Sequence, residues 1–521
     1  MGKNPEEERV AVIETAIVDG MEGIPVRAEV TLRHGLPGCT IIGMAGTEVQ
    51  ESKERIRTAV LRGGFRYPRM HVVMSLLPAS VRKKGSQLDL PMAAALLSAD
   101  GQIEASERWK EIALFGELSL KGTVIAVSGI LPMVEASVKE GIKYVLVPTA
   151  NVREARLVPG VTVIGVKDLK ECVRILRKII AGREEAFVCE PLSEEGASFQ
   201  SERGGLDFAD IAGQETAKRC LVLTAAGGHN LLMIGGPGCG KSMLAERIPG
   251  ILPPMTEEEA VETTLIYSAA GLLSEGQDIL HQRPFRAPHH SVTRAGMIGG
   301  GLIPKPGEIT LAHHGILFLD EFCEFERSTV EALRQPIEEG FIAHVRQGKV
   351  YRYPSAFTLI AATNPCPCGY LGDPEHLCTC SPAMIRNYRK KLSGALSERI
   401  DLHLMMETVR YEDLKYEGSE AKPLSSEQMR MQVLQAKAFS KADGRGENCG
   451  NIEGYEIRDW CRLGPQEEML LAAAYERFHL TPRLYYRTLR VARTIADVEQ
   501  SECVRTEHLA EAFRYLPKED E

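Results

Sequence analysis

The chain has 521 residues, 44% of them hydrophobic and 26% charged, the composition of a globular protein with room for about three separately cored domains. Lys and Arg total 62 against 71 Asp and Glu, a net charge of −9, which excludes a surface that is basic throughout but leaves room for a local basic groove. No apolar run is long enough to span a bilayer, and the opening MGKNPEEERV lacks the apolar core of a signal peptide. No membrane partner is expected. The expected compartment is the cytoplasm, where clustered thiols bind metal more often than they form disulfides.

Residues 10–182 alternate β-rich runs, RMHVVMSLL and KYVLVP, with helical ones, EVQESKERIRTAVLRGG and LPMAAALLSADG. They predict a mixed α/β domain. The polar run EPLSEEGASFQSERGG predicts a linker over 183–205. A second α/β pattern occupies 206–407, and 408–521 is almost wholly helical in pattern. Of the thirteen cysteines, Cys39, Cys172, Cys220, Cys239 and Cys323 sit in or beside apolar patterns and read as small core residues.

NLLMIGGPGCGKSMLAERI holds the pattern G-x-x-x-x-G-K-S from Gly235 to Ser242, between a strand-like and a helix-like run. There Gly235, Gly236, Pro237, Gly238, Cys239 and Gly240 form a loop whose backbone N–H groups can approach phosphate oxygens. Lys241 can reach the β- and γ-phosphates, and the Ser242 hydroxyl can ligate Mg²⁺. ATP and Mg²⁺ are therefore expected. A glycine-rich turn without a ligand is the plain alternative, and the complete motif in its context argues against it.

GILFLDEF is an apolar strand ending in Asp320 and Glu321. Asp320 is expected to hold Mg²⁺ through water, and Glu321 to activate the attacking water. AFTLIAATN reads as a third strand, ending in Asn364. In an open α/β sheet, ligands collect beyond the carboxyl ends of the strands. An amide there can orient water near the γ-phosphate. Taken alone, Asn364 would be a turn cap before Pro365; with two matched strands the site reading prevails.

Directly after Asn364 come two C-x-C pairs, Cys366 with Cys368 and Cys378 with Cys380. Four thiolates can surround one tetrahedral Zn²⁺, leaving no open position, so the role would be structural. The pairs are tighter than the usual C-x₂-C, and free thiols or reversible disulfides compete with the metal. Two histidine pairs, His289–His290 and His313–His314, are not expected to bind metal, because adjacent side chains on a strand point to opposite faces. EEGFIAHVRQGKVYRYPSAF predicts a hairpin turning near Gln347-Gly348-Lys349.

The segments DFADIAGQETAKR, AAGGHNLL, FRAPHHSVT, GGGLIPKPGEITLAHHGILFLDE, LRQPIEEG, NPCPCG and ERIDLHL resemble the magnesium-chelatase-like AAA+ ATPases, in the ComM/YifB branch. The resemblance covers nearly the whole chain. It implies a homo-hexameric ring with ATP held between subunits and, in this branch, ATP-driven branch migration of DNA during recombination of incoming strands. It also implies roles for two arginines. Arg399 in SERIDLH matches the arginine that reaches the neighbouring subunit's γ-phosphate, with a surface salt bridge as the alternative. The family's SGPLLDRID stands here as SGALSERID, the arginine kept. Arg483 in LTPRLYYRTLRVARTIADV matches the sensor-2 arginine of a helical lid. Arg487, Arg490 and Arg493 continue that row, which could be a solvated face or a phosphate-contacting strip. The stretch 264–309 resembles the insertion of the helix-2-insert clade. The hairpin would face the ring pore, making Arg346 and Lys349 candidate DNA contacts; a merely solvated basic hairpin is the alternative.

The first block resembles the Lon-protease (S5-type) fold without its chemistry. Leu131 and Met133 stand where that fold carries its lysine base, and Gln87 stands where its serine is expected, with Ser86 one residue away. A serine without a base is a weak nucleophile, so a structural or DNA-guiding collar is expected. Three functions remain in play: a DNA motor, a chelatase- or remodelling-type motor acting on a protein, and a scaffold with vestigial ATP binding. The complete set Lys241, Asp320, Glu321 and Asn364 speaks against the third.

Overall fold

A computed structural model describes residues 10–83, 85–183, 206–273, 279–301, 304–346, 348–391, 396–408, 424–445, 452 and 454–517. Most of the expected linker, Gln347 of the expected turn and the stretch 409–423 lie outside the described residues.

The first block is built on a seven-stranded mixed sheet. Its strands are β1 (Ala11–Asp19), β2 (Glu22–Arg33), β3 (Gly38–Ile42), β4 (His71–Leu77), β5 (Ile112–Leu114), β6 (Tyr144–Pro148) and β7 (Thr162–Val166), in the order β3-β4-β2-β1-β5-β6-β7. Helices α1 (Thr47–Arg62), α2 (Asp89–Ala99), α3 (Ile130–Lys139) and α4 (Leu169–Ile180) accompany it. The run DLPMAAALLSA has no polar face because α2 is buried on nearly all sides in the core of this domain.

The second block opens with α5 (Glu215–Gly227) and is organised by a five-stranded parallel sheet. Its strands are β8 (Leu231–Ile234), β9 (Phe285–Arg286), β10 (Ile316–Leu319), β13 (Thr358–Thr363) and β14 (Leu402–Met405). The order β9-β10-β13-β8-β14 puts the third predicted strand between the other two. The three central strands, β10, β13 and β8, are short, apolar and mostly buried, as parallel strands covered on both faces must be. Helix α6 (Lys241–Arg247) follows β8, and α7 (Glu257–Ala270) follows α6. The expected insert thus begins inside a continuous helix, and it gives the sheet its edge strand, β9, paired with β10. The predicted hairpin is β11 (Phe341–Arg346) and β12 (Lys349–Pro354), with Arg346 opposite Lys349. Helix α8 (Pro382–Arg389) lies between β13 and β14.

The last block is helical: α9 (Ser426–Ala442), α10 (Gly454–Cys461), α11 (Pro465–Arg477), α12 (Pro482–Val498) and α13 (Thr506–Arg514). It shares one hydrophobic core with the five-stranded sheet, since Leu489, Val491, Ala492 and Ile495 of α12 pack in the cluster that holds Leu231, Met233 and Leu402. Arg219 of α5 adds ion pairs to Glu499 and Glu511. Among the described residues no helix is long and apolar enough to cross a membrane.

Candidate functional site

Because β10, β13 and β8 are neighbours and parallel, their carboxyl ends come out side by side. After β8 the backbone turns through Gly238 and Gly240, whose φ values of 77° and 92° suit glycine. Lys241 Nζ donates to the carbonyls of Gly235 and Gly236 at 2.7 and 2.9 Å, and to Asn364 Oδ1 at 3.2 Å. The Ser242 hydroxyl donates to Asp320 Oδ2 at 2.6 Å. The loop that leaves β8 is therefore met by one group from each of the two neighbouring strand ends, Asp320 and Asn364. An ammonium, a hydroxyl facing a carboxylate, and an amide form a donor set suited to a Mg²⁺-bound triphosphate.

Glu321 takes the left-handed conformation, φ 51°, uncommon for a non-glycine residue. Its N–H donates to Asp320 Oδ1 at 2.8 Å. Its carboxylate lies 3.1 Å from His290 Nδ1. Sequence reasoning missed this partner; the signal was the histidine pair in RAPHHS, weighed only as a metal ligand.

The two matched arginines share one carboxylate. Arg399 meets Glu338 Oε1 at 2.5 Å and Arg483 meets the same oxygen at 2.8 Å. Partial burial pushes the Glu338 carboxyl up, but the two guanidiniums outweigh it and hold it below the usual carboxylate range. Arg399 is only 8% exposed, so it is not a loose surface charge.

The row behind Arg483 is neither a solvated face nor a phosphate strip at its two ends. Arg487 and Arg493 are fully buried. Arg487 donates to the carbonyls of Ser397, Glu398 and Ile400, the nearest at 2.6 Å. Arg493 pairs with Asp497 at 3.0 Å and reaches the Ser501 carbonyl. Arg490, half-buried, donates to the Ile452 carbonyl. A buried guanidinium needs such partners, and α12 thereby grips the segment that carries Arg399.

The motifs GGHN and ERID are explained by the same segment. The Asn230 side chain receives the Leu359 N–H and donates to the Arg399 carbonyl, and its backbone N–H donates to Asp401. His229 faces Thr494 at 2.8 Å. Burial, with Arg487 nearby, pushes His403 down to about 4.

Cys366, Cys368, Cys378 and Cys380 come together, with Sγ atoms all within 4.8 Å of one another. Backbone N–H groups of Tyr370 and Thr379 hold the Cys368 thiol well below the usual thiol range.

The expectation that neighbouring histidines diverge is wrong here. The His313 and His314 rings lie 3.8 Å apart, and those of His289 and His290 4.0 Å apart. Neither pair lies on a strand; His314, at φ 56°, turns the chain before β10. His313 and His314 share Glu262, at 3.3 and 3.0 Å. Ligand atoms of Glu262, His313 and His314 all lie within 4.8 Å of one another, a grouping that could hold a metal ion. The Ala356 N–H donates to His313 Nδ1, so the neutral ring keeps its proton on Nε2, the atom facing Glu262.

At the hairpin, Lys349 is bound to Asp19 of β1 at 2.8 Å, and Tyr351 donates to the same carboxylate at 3.0 Å. Arg346 is exposed. In the first block, Leu131 and Met133 are core residues. The Ser86 hydroxyl donates to the Glu117 carboxylate rather than facing an amine. Lys83, unremarked in the sequence, is buried and donates to the Pro78 carbonyl.

Three family models match the chain: "Subunit ChlI of Mg-chelatase" over residues 28–151, "Magnesium chelatase, subunit ChlI" over 207–414, and "Magnesium chelatase, subunit ChlI C-terminal" over 423–516. The protein YifB of Escherichia coli is 37% identical over 508 residues, 97% of each chain. Competence protein ComM of Haemophilus influenzae is 37% identical over 514 residues, again 97% of each chain. A Lon protease of Geobacter metallireducens is 27% identical over 203 residues, 35% of this chain and 23% of that one.

Proposed function

The chain belongs to the magnesium-chelatase ChlI family, in its ComM/YifB branch, and on that premise we propose that it is a cytoplasmic, ring-forming ATPase that moves DNA, acting in branch migration during recombination of incoming strands. The observation that carries the ATPase reading is the meeting of Lys241, Ser242, Asp320 and Asn364 at three adjacent strand ends. In this reading Lys241 and the loop Gly235–Gly240 hold the phosphates. Ser242 and Asp320 hold Mg²⁺, whose charge, when it is bound, offsets that of the phosphates. Asn364 orients the attacking water and Glu321 takes its proton. Arg399 and Arg483 supply planar cations to the charge that spreads over the transferred group, Arg399 across a subunit boundary. Glu338 holds both in place until then.

The DNA part is supported by the similarity to a competence protein. The first block is read as a collar without peptidase activity, since Ser86 faces a carboxylate. One observation favours a second reading, a remodelling motor with a protein substrate: Lys349, a candidate DNA contact, is already neutralised by Asp19. ATP turnover measured with and without forked or single-stranded DNA separates the two. Stimulation by DNA supports the first. ATP turnover indifferent to DNA overturns it.

A further inference from the structure

We propose that Cys366, Cys368, Cys378 and Cys380 bind one zinc ion, and that this knuckle is a wall of the nucleotide site. The second part rests on the nucleotide reading above; the first does not.

The geometry comes first. A tetrahedral ion with Zn–S bonds of about 2.3 Å places its sulfurs about 3.8 Å apart. Here Cys366 and Cys378 are separated by 3.7 Å, Cys368 and Cys378 by 3.5 Å, and Cys366 and Cys368 by 3.4 Å. These separations are far beyond the ~2.05 Å of a disulfide bond. The Cys368 N–H points at Cys380 Sγ at 3.3 Å, the kind of outer hydrogen bond that orients a thiolate ligand. The two C-x-C pairs, tight in sequence, are thus brought into one cluster. Cys366 is completely buried and the others are partly so. Four unpaired thiols crowded this closely gain little from one another. Four thiolates around one cation gain a great deal.

The intervening stretch is held by contacts among its own residues, such as the Tyr370 ring 4.8 Å from that of His376. Asp373 accepts from the N–H groups of Glu375 and His376, while Leu377 stands 93% exposed. Such a loop buries too little apolar surface to fix itself, and a metal that closes it supplies the missing constraint.

The position gives the knuckle its role. Its first two ligands follow Asn364 and Pro365 at the end of β13, and its last two precede Ser381, whose side chain caps α8. The same two elements are joined further along, where Tyr388 meets Thr363 at 3.2 Å. Zinc would therefore pin the start of α8 to the end of the strand that carries Asn364. Between the first ligands and the loop 235–240 the packing is tight. A Cβ added to Gly369 would sit 2.8 Å from Pro237 Cδ, and one added to Gly236 would sit 3.5 Å from the Gly369 carbonyl oxygen. Gly369 itself has φ 85°, so no larger residue is readily accepted. The phosphate loop thus rests against the knuckle, and Lys241 and Asn364 keep their spacing only while the knuckle holds its shape.

The test uses full-length, untagged protein purified under reducing conditions without chelator. Elemental analysis is expected to find about one zinc per chain. Co²⁺ exchanged into the site is expected to give thiolate charge-transfer bands and the visible bands of a tetrahedral ion. Cys378→Ser/Cys380→Ser is expected to lose the metal, whereas Cys503→Ser, at an exposed cysteine outside the cluster, retains it. In the double variant, affinity for a fluorescent ATP analogue weakens and turnover falls by about 10²-fold, the loss that an ångström of misplacement brings. Should that variant fail to fold, zinc is displaced from the wild type with a mercurial reagent while nucleotide binding is followed in the same cuvette. Wild-type protein free of metal, with the four thiols reduced, overturns the site. Zinc that leaves without any change in nucleotide affinity overturns the wall. A wild type that binds zinc but no nucleotide overturns the ATPase reading and the wall, while the metal site stands.

Discussion

At the scale of single residues, the proposed division of labour is tested first at Glu321. Its amide counterpart cannot take a proton, so Glu321→Gln is expected to bind ATP normally and lose turnover by about 10²-fold or more. Turnover within a few-fold of wild type would remove Glu321 from the role. His290 is the second residue at issue, since a carboxylate held by an imidazole faces away from other work. His290→Ala is expected to raise ATP turnover in the absence of DNA; a fall to the level of Glu321→Gln would instead place His290 among the reacting groups. A third prediction concerns stability. Burial and Arg487 hold His403 near 4, below the ~6.5 of an exposed histidine. Between these values the unfolded chain takes up a proton that the folded chain refuses. This term is therefore fully present above about pH 6.5 and is lost as pH falls, by about 2 kcal/mol at pH 5. Urea unfolding at pH 7 and pH 5 measures it, and His403→Gln should flatten the difference. Of these residues, Glu321 stood out in the sequence as half of an acidic pair after an apolar strand, and the structure places it directly after β10, beside Asp320. His290 and His403 did not stand out. Their partners lie 31 residues away in one case, and in the other burial by a helix from another block decides the matter.

At the scale of elements, the sequence foretold what short-range patterns carry. The turn signal near Gln347-Gly348-Lys349 pointed to the hairpin, whose strands pair Arg346 with Lys349. Apolar runs, closed by Gly235, Asp320 and Asn364, pointed to β8, β10 and β13. What no local pattern carries is the order of strands, which puts β13 between the other two, or the edge strand β9 drawn from the insert. Nor did the row on α12 announce that Arg487 and Arg493 are buried, because an arginine reads as surface until its carbonyl partners are known. The hairpin yields a prediction at this scale. Lys349 sits in an acidic clasp of Asp19 and, at 3.7 Å, Glu22, so any phosphate must compete with the collar for it. Asp19→Asn is expected to tighten binding to single-stranded DNA by up to about fivefold, matching the ~1 kcal/mol of a partly exposed ion pair. Lys349→Ala is expected to weaken it and to reduce the salt slope by about 1. Fluorescence anisotropy at several salt concentrations reads both, and identical curves for all three proteins would leave the hairpin without a role on DNA.

At the scale of the whole molecule, each block is tied to the next by charged or polar contacts. Asp19 of the collar holds the hairpin, α12 of the lid grips the segment 397–400, and Glu338 gathers Arg399 and Arg483. A hydrolysis site complete within one chain would need an arginine free to approach the loop, yet Arg399 is held by Glu338, its carbonyl by Asn230, and the carbonyls on either side of it by Arg487. In the proposed ring, Arg399 would serve the loop of a second copy once Glu338 releases it. In a head-to-tail ring, every interface joins one subunit's phosphate loop to the next subunit's Arg399. Arg399→Ala is then expected to bind nucleotide and lose turnover by about 10³-fold, the scale of a missing arginine finger. Mixing it with Glu321→Gln provides the decisive measurement. Each variant alone is inactive, but in a randomly mixed ring an interface can draw an intact Glu321 from one chain and an intact Arg399 from its neighbour. With equal amounts, roughly one interface in four is complete, the product of two halves, and activity should recover toward that fraction. Recovery must depend on subunit exchange, so it should appear on mixing before ring assembly and lag when preassembled rings are combined. No recovery under exchange, or full activity from a monomer in the analytical ultracentrifuge, would return Arg399 to a purely structural pairing with Glu338.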